Sequence, residues 1–594
     1  MILNALVRYY DRLAAALESD IAPLGFSWQK ISFEIVLKSD GTLAAFQDAR
    51  VDNEGRVIPR PLTVPGQAKP SGSGINPGFL WDNAAYMLGY KPDDSKPDRT
   101  RKAFDAFRDR HLGLEDQIGD AAFSAVCKFL RSWNPAETAG YSELADIAAS
   151  FGVFRIQGEM EYVHDRPRVK AYWLEQSGVE DNAPSAPSLI SGEVQPIARL
   201  HEPKIKGVRG GQSSGATLVA FNADAYESYG KSQSYNAPVG IEDAFKYCTA
   251  LNRLTTARDR QVHLGDTTVV FWTEKPTPFE DEVFGVFEDQ DAEDPATVDR
   301  LKGFFNRLRR AADGAAFEDG EVPFYVLGLS PNAARVSVRF WEVGTVQQFS
   351  ERLGQHLADL ELSGAPPTMR PISLQRMIDQ TARERDEIQP LLGGAVLRAV
   401  LIGGYYPPSL AAAVLRRIRA DGQTSGANGY IRAAIVKAYL ARKARLNKNK
   451  ETVSMSLDKN CAHVAYHLGR MFAALEKTQE DAADRELNAT IKDRYFSSAS
   501  ANPVAVFPRL LRLHSHHLRD LRDKPGLRVR REQIIQEIAG RIDPAEGFPS
   551  HLPLDEQGLF FIGYYHQRQD FFTSKKLEGE ITETTMSAES AKED

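Results

Sequence analysis

Apolar and polar positions alternate early in this chain and cycle with a helical period later. Leu3, Leu6, Val7, Tyr10, Leu13 and Leu17 recur at helical spacing, interrupted by Arg8, Asp11 and Arg12. That predicts an ordinary amphipathic helix rather than a signal peptide. Ile31, Phe33, Ile35 and Leu37 then alternate with more polar neighbours, and Asp40-Gly41 leads into residues 42–46. The pattern predicts a strand, a tight turn and a returning strand. Asn53-Glu54-Gly55 marks a second turn before residues 56–58, and PLTVPGQAKPSGSGINPG (61–78) offers neither period and reads as a loop. Helical patterns follow at 81–90, 99–132 and 141–151, and residues 177–198 form a Ser/Pro/Gly-rich connection.

Residues 200–350 are again mixed. Strands are predicted at 217–221 and 267–272, a helix at 241–254, and a hairpin whose arms, 324–329 and 335–341, bracket Ser330-Pro331-Asn332. On its second arm Val336, Val338 and Phe340 share one face, and Arg335, Ser337 and Arg339 the other. From about residue 370 Ala, Leu, Arg and Lys dominate. Helical periodicity breaks only at Gly403-Gly404, Gly426, Pro503 and Pro525, which predicts a helical bundle. The expected class is α+β: a mixed N-terminal two-thirds with antiparallel hairpins, then an all-helical bundle. The expected divisions are 1–198, 199–370 and 371–572, followed by a charged, aperiodic tail at 573–594 without regular structure.

At 594 residues the chain exceeds one ordinary core. No apolar run reaches the length of a membrane-spanning helix. Cys127, Cys248 and Cys461 lie far apart, which fits a reducing cytoplasm and gives no framework for disulfides or zinc. The net charge of −7 hides segregation. Residues 401–450 carry ten Lys/Arg against Asp421 alone, 492–531 carry ten against three acids, and 274–294 is acidic. Phosphate binding depends on potential at one face rather than on the chain's sum, although such clusters also arise as solvated helix faces.

Enzyme-like patterns occur without their context. Residues 210–217, GGQSSGAT, have P-loop glycine spacing, but Ala216 stands where the motif needs lysine and a strand is expected to follow. The same residues contain G-x-S-x-G in the wrong strand-to-helix order. His463 and His467 share a helix face without the glutamate of a metalloprotease, and His514, His516 and His517 lack carboxylate or thiolate company. No catalytic, cofactor or metal residue is predicted, and the chain is not expected to be an enzyme.

Four stretches resemble those of a known family. PGFLWDNAAYMLGY (77–90), FNADAYESYGKSQSYNAPVGIEDAFKYCTALNRL (221–254), YVLGLSPNAARVSVRFW (325–341) and GYYHQRQDFF (563–572) are similar to signatures of type I-C CRISPR Cascade large subunits. Gln233-Ser234-Tyr235 departs from the glycine expected after the glutamine. The resemblance implies a non-catalytic subunit that binds guide CRISPR RNA and double-stranded target DNA beside Cascade backbone and guide-processing subunits. It implies reading of the motif flanking the target, promotion of the R-loop, a hold on the displaced single strand, and docking of a recruited helicase-nuclease. It also implies that the helical C-terminal part can be made separately as a small subunit; Met471, which precedes about the right length of helix, is a candidate internal start. No membrane partner is implied.

On that reading the loop bearing Lys69, Ser71, Ser73 and Asn76 is suited to reading a groove: glycine lets backbone approach, Asn76 can pair with an adenine edge, and Lys69 with guanine or phosphate. The same composition suits an ordinary surface connector. Asp82, Asn83 and Tyr86 are expected to cap and pack the following helix. A second candidate is Lys204, Lys206, Arg209, Gln212 and Ser214. A third is Lys231, Gln233 and Asn236, with Tyr229 and Tyr235 available for stacking. Arg494, Arg509, Arg512 and Arg519 would form a track for single-stranded DNA, unless they are spent in ion pairs between helices. Rival readings are a nucleotide-dependent enzyme using residues 210–217, which ATP turnover would favour, and a DNA-binding regulator, which an operator bound without RNA would favour.

Overall fold

The computed structural model describes the chain apart from residues 1, 17–20, 54, 67–73, 149, 177–182, 289–294, 368, 423, 449–452, 484–486 and 591–594. Two compact units emerge. One comprises Met1–Thr256 with Pro331–Ser337, the other Ala257–Ser330 with Val338–Asp594. The division expected at 198 falls inside the first unit and that at 370 inside the second, where strands and helices on either side of 370 share one core.

In the first unit the strand Phe26–Leu37 organises a five-stranded sheet. Its first half pairs antiparallel with Arg60–Pro65 and its second half with Leu43–Asp48, while Phe151–Ile156 runs parallel along the opposite edge. The parallel pairing makes the sheet mixed, which hairpin signals alone do not reveal. The Asp40-Gly41 turn closes as its residues dictate: the Asp40 carboxylate accepts from the Thr42 amide at 2.8 Å and from its hydroxyl at 2.7 Å. The second turn carries the small ribbon of Val51–Asn53 and Arg56–Ile58. Phe33, Ile35 and Leu37 pack on Phe123, Val126, Phe129 and Leu130 of the helix Ala121–Ser132, and Ile31 turns to Val64, Trp81 and Val153 on the other face. The intervening Glu34 is buried too, held at 2.8 Å by both the Arg155 guanidinium and the Tyr162 hydroxyl.

The single helical stretch expected at 99–132 is three helices, Pro97–Leu112, Glu115–Ile118 and Ala121–Ser132, because Gly113 and Gly119 end turns and Asp120 caps the third. The N-terminal helix Ile2–Ala14 packs on Ile241–Thr256, where Tyr10 meets Phe245 edge-on. The strand expected at 217–221 does not form. Thr217 makes only one bridge, to the tip of the long hairpin, and the remaining residues find no ladder partner among the described residues.

The second unit holds an antiparallel meander, Gln261–Leu264, Thr267–Thr273, Pro323–Asn332 and Arg335–Thr345. Val336 and Phe340 are buried as the alternation predicts, but Val338 on the same face is 41% exposed. After Thr345 the described chain is helical. The expected breaks mark real ends: Gly403 terminates Leu392–Ile402 in the left-handed region, and Gly426, Pro503 and Pro525 each open a helix. The bundle closes on Val464–Ala482 and Leu554–Ser590, whose backbones touch. A side chain at Gly469 would strike the Phe560 carbonyl, and one at Gly563 the Tyr466 carbonyl. Leu554–Ser590 also carries helical backbone through residues 573–590, where the sequence pattern predicts no regular structure; Lys, Glu and Ala in that stretch are compatible with helix.

Candidate nucleic-acid interface

Lys69, Ser71 and Ser73 lie outside the described residues. Asn76, at the end of that loop, is exposed, and its amide donates to the Tyr86 hydroxyl at 3.2 Å. Asp82 is fully buried and fixes the approach to the helix by accepting from the Gly78 and Asn83 amides at 2.7 and 2.8 Å. Asn83 caps Ala84–Met87 through the Ala85 amide. These residues therefore hold the loop's exit in place, and Arg99 adds a bond to the Gly74 carbonyl at 3.3 Å.

Lys204, Lys206, Arg209, Gln212 and Ser214 are all exposed. Ile205 is buried and exchanges backbone hydrogen bonds with Ala216 at 2.7 and 2.8 Å, so the flanking Lys204 and Lys206 share the opposite, outward side. Asn252 clamps this segment, accepting from the Lys206 amide at 2.7 Å and donating to the Lys204 carbonyl at 3.0 Å. Among the described residues the next α-helix after residues 210–217 is Ile241–Thr256.

In the third loop the side chains divide by role. Asn236 donates to the Lys231 and Gln233 carbonyls and accepts from the Ser228 amide, while Gln233 accepts from Arg199 at 2.7 Å. The Asn236 side chain thus knits the loop to itself, and the Gln233 side chain ties it to Arg199. Lys231 is exposed and Tyr229 is 99% exposed. Arg335 lies over the Tyr226 ring, 4.7 Å from its centroid, and bonds Asn222, whereas Arg339 pairs with Asp266 at 3.2 Å.

The C-terminal track is the most continuous feature. Arg509, Arg512, His516 and Arg519 succeed one another at intervals of three, four and three residues on Pro503–Asp520, all exposed. That spacing places them in one stripe about 15 Å long. Val506, Phe507, Leu510 and His514 occupy the buried side. Arg494 is exposed on the neighbouring helix Ile491–Ala499, and Arg509 lies over the ring of Tyr495 at 5.5 Å. Among the described residues no carboxylate comes within ion-pair distance of Arg494, Arg509, Arg512 or Arg519. The stripe therefore presents exposed guanidiniums that no carboxylate pairs directly, with Arg519 bonded to His516, and such cations can bind phosphates with release of counterions.

The other basic stretch faces inward. On Gly426–Leu446 and its neighbours, Arg432 and Arg442 are buried and paired with Asp421 and Asp359, at 2.8 and 2.7 Å. Arg417, Lys443 and Arg445 are paired as well, with Asp421, Asp555 and Asp359. The acidic stretch is likewise partly spent: Glu280 and Asp281 face Arg260, and Glu282 faces Arg307. Among the described residues no cluster of His, Cys, Asp or Glu is arranged to hold a metal, and His467 is taken up by the Cys461 carbonyl and Arg470. No helix of the described residues is long and apolar enough to cross a membrane. Lys91 and Lys96, which spacing arguments do not single out, line a cleft next to Tyr86; only their density with Arg99, Arg101 and Lys102 signals them.

No curated protein matches the chain. A family described as CRISPR-associated protein (Cas_Csd1) matches it over residues 6–572.

Proposed function

This chain belongs to the CRISPR-associated Cas_Csd1 family, and from that membership we propose that it is the non-catalytic large subunit of a type I-C Cascade. In this role it joins guide RNA and the backbone and guide-processing subunits, reads the motif flanking the target in duplex DNA, promotes the R-loop and holds the displaced strand. Base pairing supplies the sequence specificity in such an assembly, and protein supplies flanking-motif and backbone contacts. The observation that supports the reading is the exposed row of Arg509, Arg512 and Arg519, which has no carboxylate partner among the described residues and suits a phosphate track. The exposed Lys204, Lys206 and Arg209 support a second contact, and Asn76 stands at the edge of a third.

The test is binding of a guide-RNA complex to a matched duplex, assembled with and without this chain, across varied flanking trinucleotides. Tight binding that requires both the chain and one flank is the expected result. Binding indifferent to the chain would overturn the reading. A small subunit started at Met471 would begin inside Val464–Ala482 and lack Arg470, leaving Gln567 and Glu537 without the guanidinium they bind in the full chain. Changing the Met471 codon should abolish that product, and persistence of the short product would remove the idea. Docking of a helicase-nuclease is tested by its recruitment to the assembled complex.

A further inference from the structure

The first unit contains a cleft of about 680 Å³. Its floor is built from small side chains, Ala84, Ala85 and Ala103, which leave the space a larger residue would fill. Tyr86 and Tyr90 line it, and the exposed Lys91 and Lys96 stand at its mouth. Neither lysine has a carboxylate within ion-pair distance among the described residues; Asp94, which also lines the cleft, accepts from the Lys96 amide at 2.9 Å and from Thr100 and lies in the field of Lys91. Aromatic rings beside such cations, over an apolar floor, match a ligand that is flat and apolar at one end and anionic at the other.

We propose that this cleft takes a single nucleotide, its base against Tyr86 and Tyr90 and its phosphate at Lys91 and Lys96. The inference rests on the reading that the chain binds nucleic acid, and it adds a site distinct from the helical stripe. The Tyr86 hydroxyl also accepts from the Asn76 amide, and Arg99, on the cleft wall, bonds the Gly74 carbonyl. These bonds join the cleft to the backbone at Gly74 and Asn76.

The experiment uses the full chain with two fluorescent probes: 2-aminopurine nucleoside monophosphate, and a single-stranded oligonucleotide carrying one 2-aminopurine. Stacking in the cleft should quench both, and quenching of the oligonucleotide alone would mean that the cleft takes a nucleotide only within a strand. Lys91→Glu combined with Lys96→Glu should weaken the quenched complex about tenfold or more, and Ala85→Phe should abolish it by filling the floor. The lysines are exposed, so their variant keeps the test sound if Ala85→Phe misfolds. Quenching that survives all these changes overturns the inference. If the cleft variants bind as the parent does while Arg509→Glu with Arg512→Glu loses the oligonucleotide, the cleft proposal falls and nucleic-acid binding stands. If the parent chain binds neither probe, both fall.

Discussion

Two stretches of this chain, 401–450 and 492–531, carry ten basic residues each, yet the first commits most of its arginines to ion pairs with carboxylates, while the second presents a row of them outward on one helix. The helix Gly426–Leu446 has apolar residues on every side, with nearly everything from Tyr430 to Arg442 buried. A helix that is apolar all round is surrounded by protein, so its arginines must bring carboxylates with them. Asp359 serves Arg442 and Arg445, and Asp421 serves Arg417 and Arg432. Pro503–Asp520 is amphipathic, with apolar residues on one side and the stripe of Arg509, Arg512 and Arg519 on the other. Charge density alone therefore does not locate a nucleic-acid surface. How the helix packs, and which carboxylates that packing brings to it, decides whether a cation is available.

The contrast breaks most sharply at Asp359. Asp359→Ala leaves the buried Arg442 without its counter-charge and should cost about 3–5 kcal/mol in urea unfolding, with single-stranded DNA affinity of the folded fraction unchanged. Combining Arg509→Ala, Arg512→Ala and Arg519→Ala should do the reverse. Each change should move stability by no more than about 0.5 kcal/mol. The slope of log affinity for single-stranded DNA against log salt should fall by about 0.7 for each phosphate no longer neutralised, and an unaltered slope would show that the stripe meets no phosphate.

A smaller effect comes from histidines behind both regions. Burial holds His356, beside Arg442, down to about 3, and His514, behind the stripe, down to about 4. The folded state thus keeps both neutral while the unfolded chain takes up protons below about 6.5. Stability should be full above that pH and decline as pH falls toward 4. His514→Leu should remove its share, on the order of 1–2 kcal/mol at pH 5, seen as a shallower fall of the melting temperature with acid. The smallest effect is expected at Arg339, whose pair with Asp266 is partly exposed. Arg339→Ala should cost under about 1 kcal/mol in thermal unfolding.

Much of the fold is legible because local signals are strong. Asp40-Gly41 fixes a hairpin through its own carboxylate, and Gly403, Gly426, Pro503 and Pro525 punctuate helices through backbone constraints that act within a few residues. Residues 217–221 are not legible as irregular chain, because β-rich composition makes a strand only where a neighbour offers a ladder. Gln233 and Asn236 look like base-reading amides in isolation, and only the folded loop shows their groups committed to its own backbone and to Arg199. The cleft beside Tyr86 is invisible to spacing, since its walls come from a helix, a turn and a second helix.

The sequence by itself determined the class of the fold, several of its turns and helix ends, and the family, because these follow from periodicity, turn chemistry and long ordered motifs. The tertiary structure alone decided which cations are available. An arginine's availability depends on whether a carboxylate distant in sequence is brought within about 4 Å of it, and that distance is set by packing, not by the order of residues along the chain.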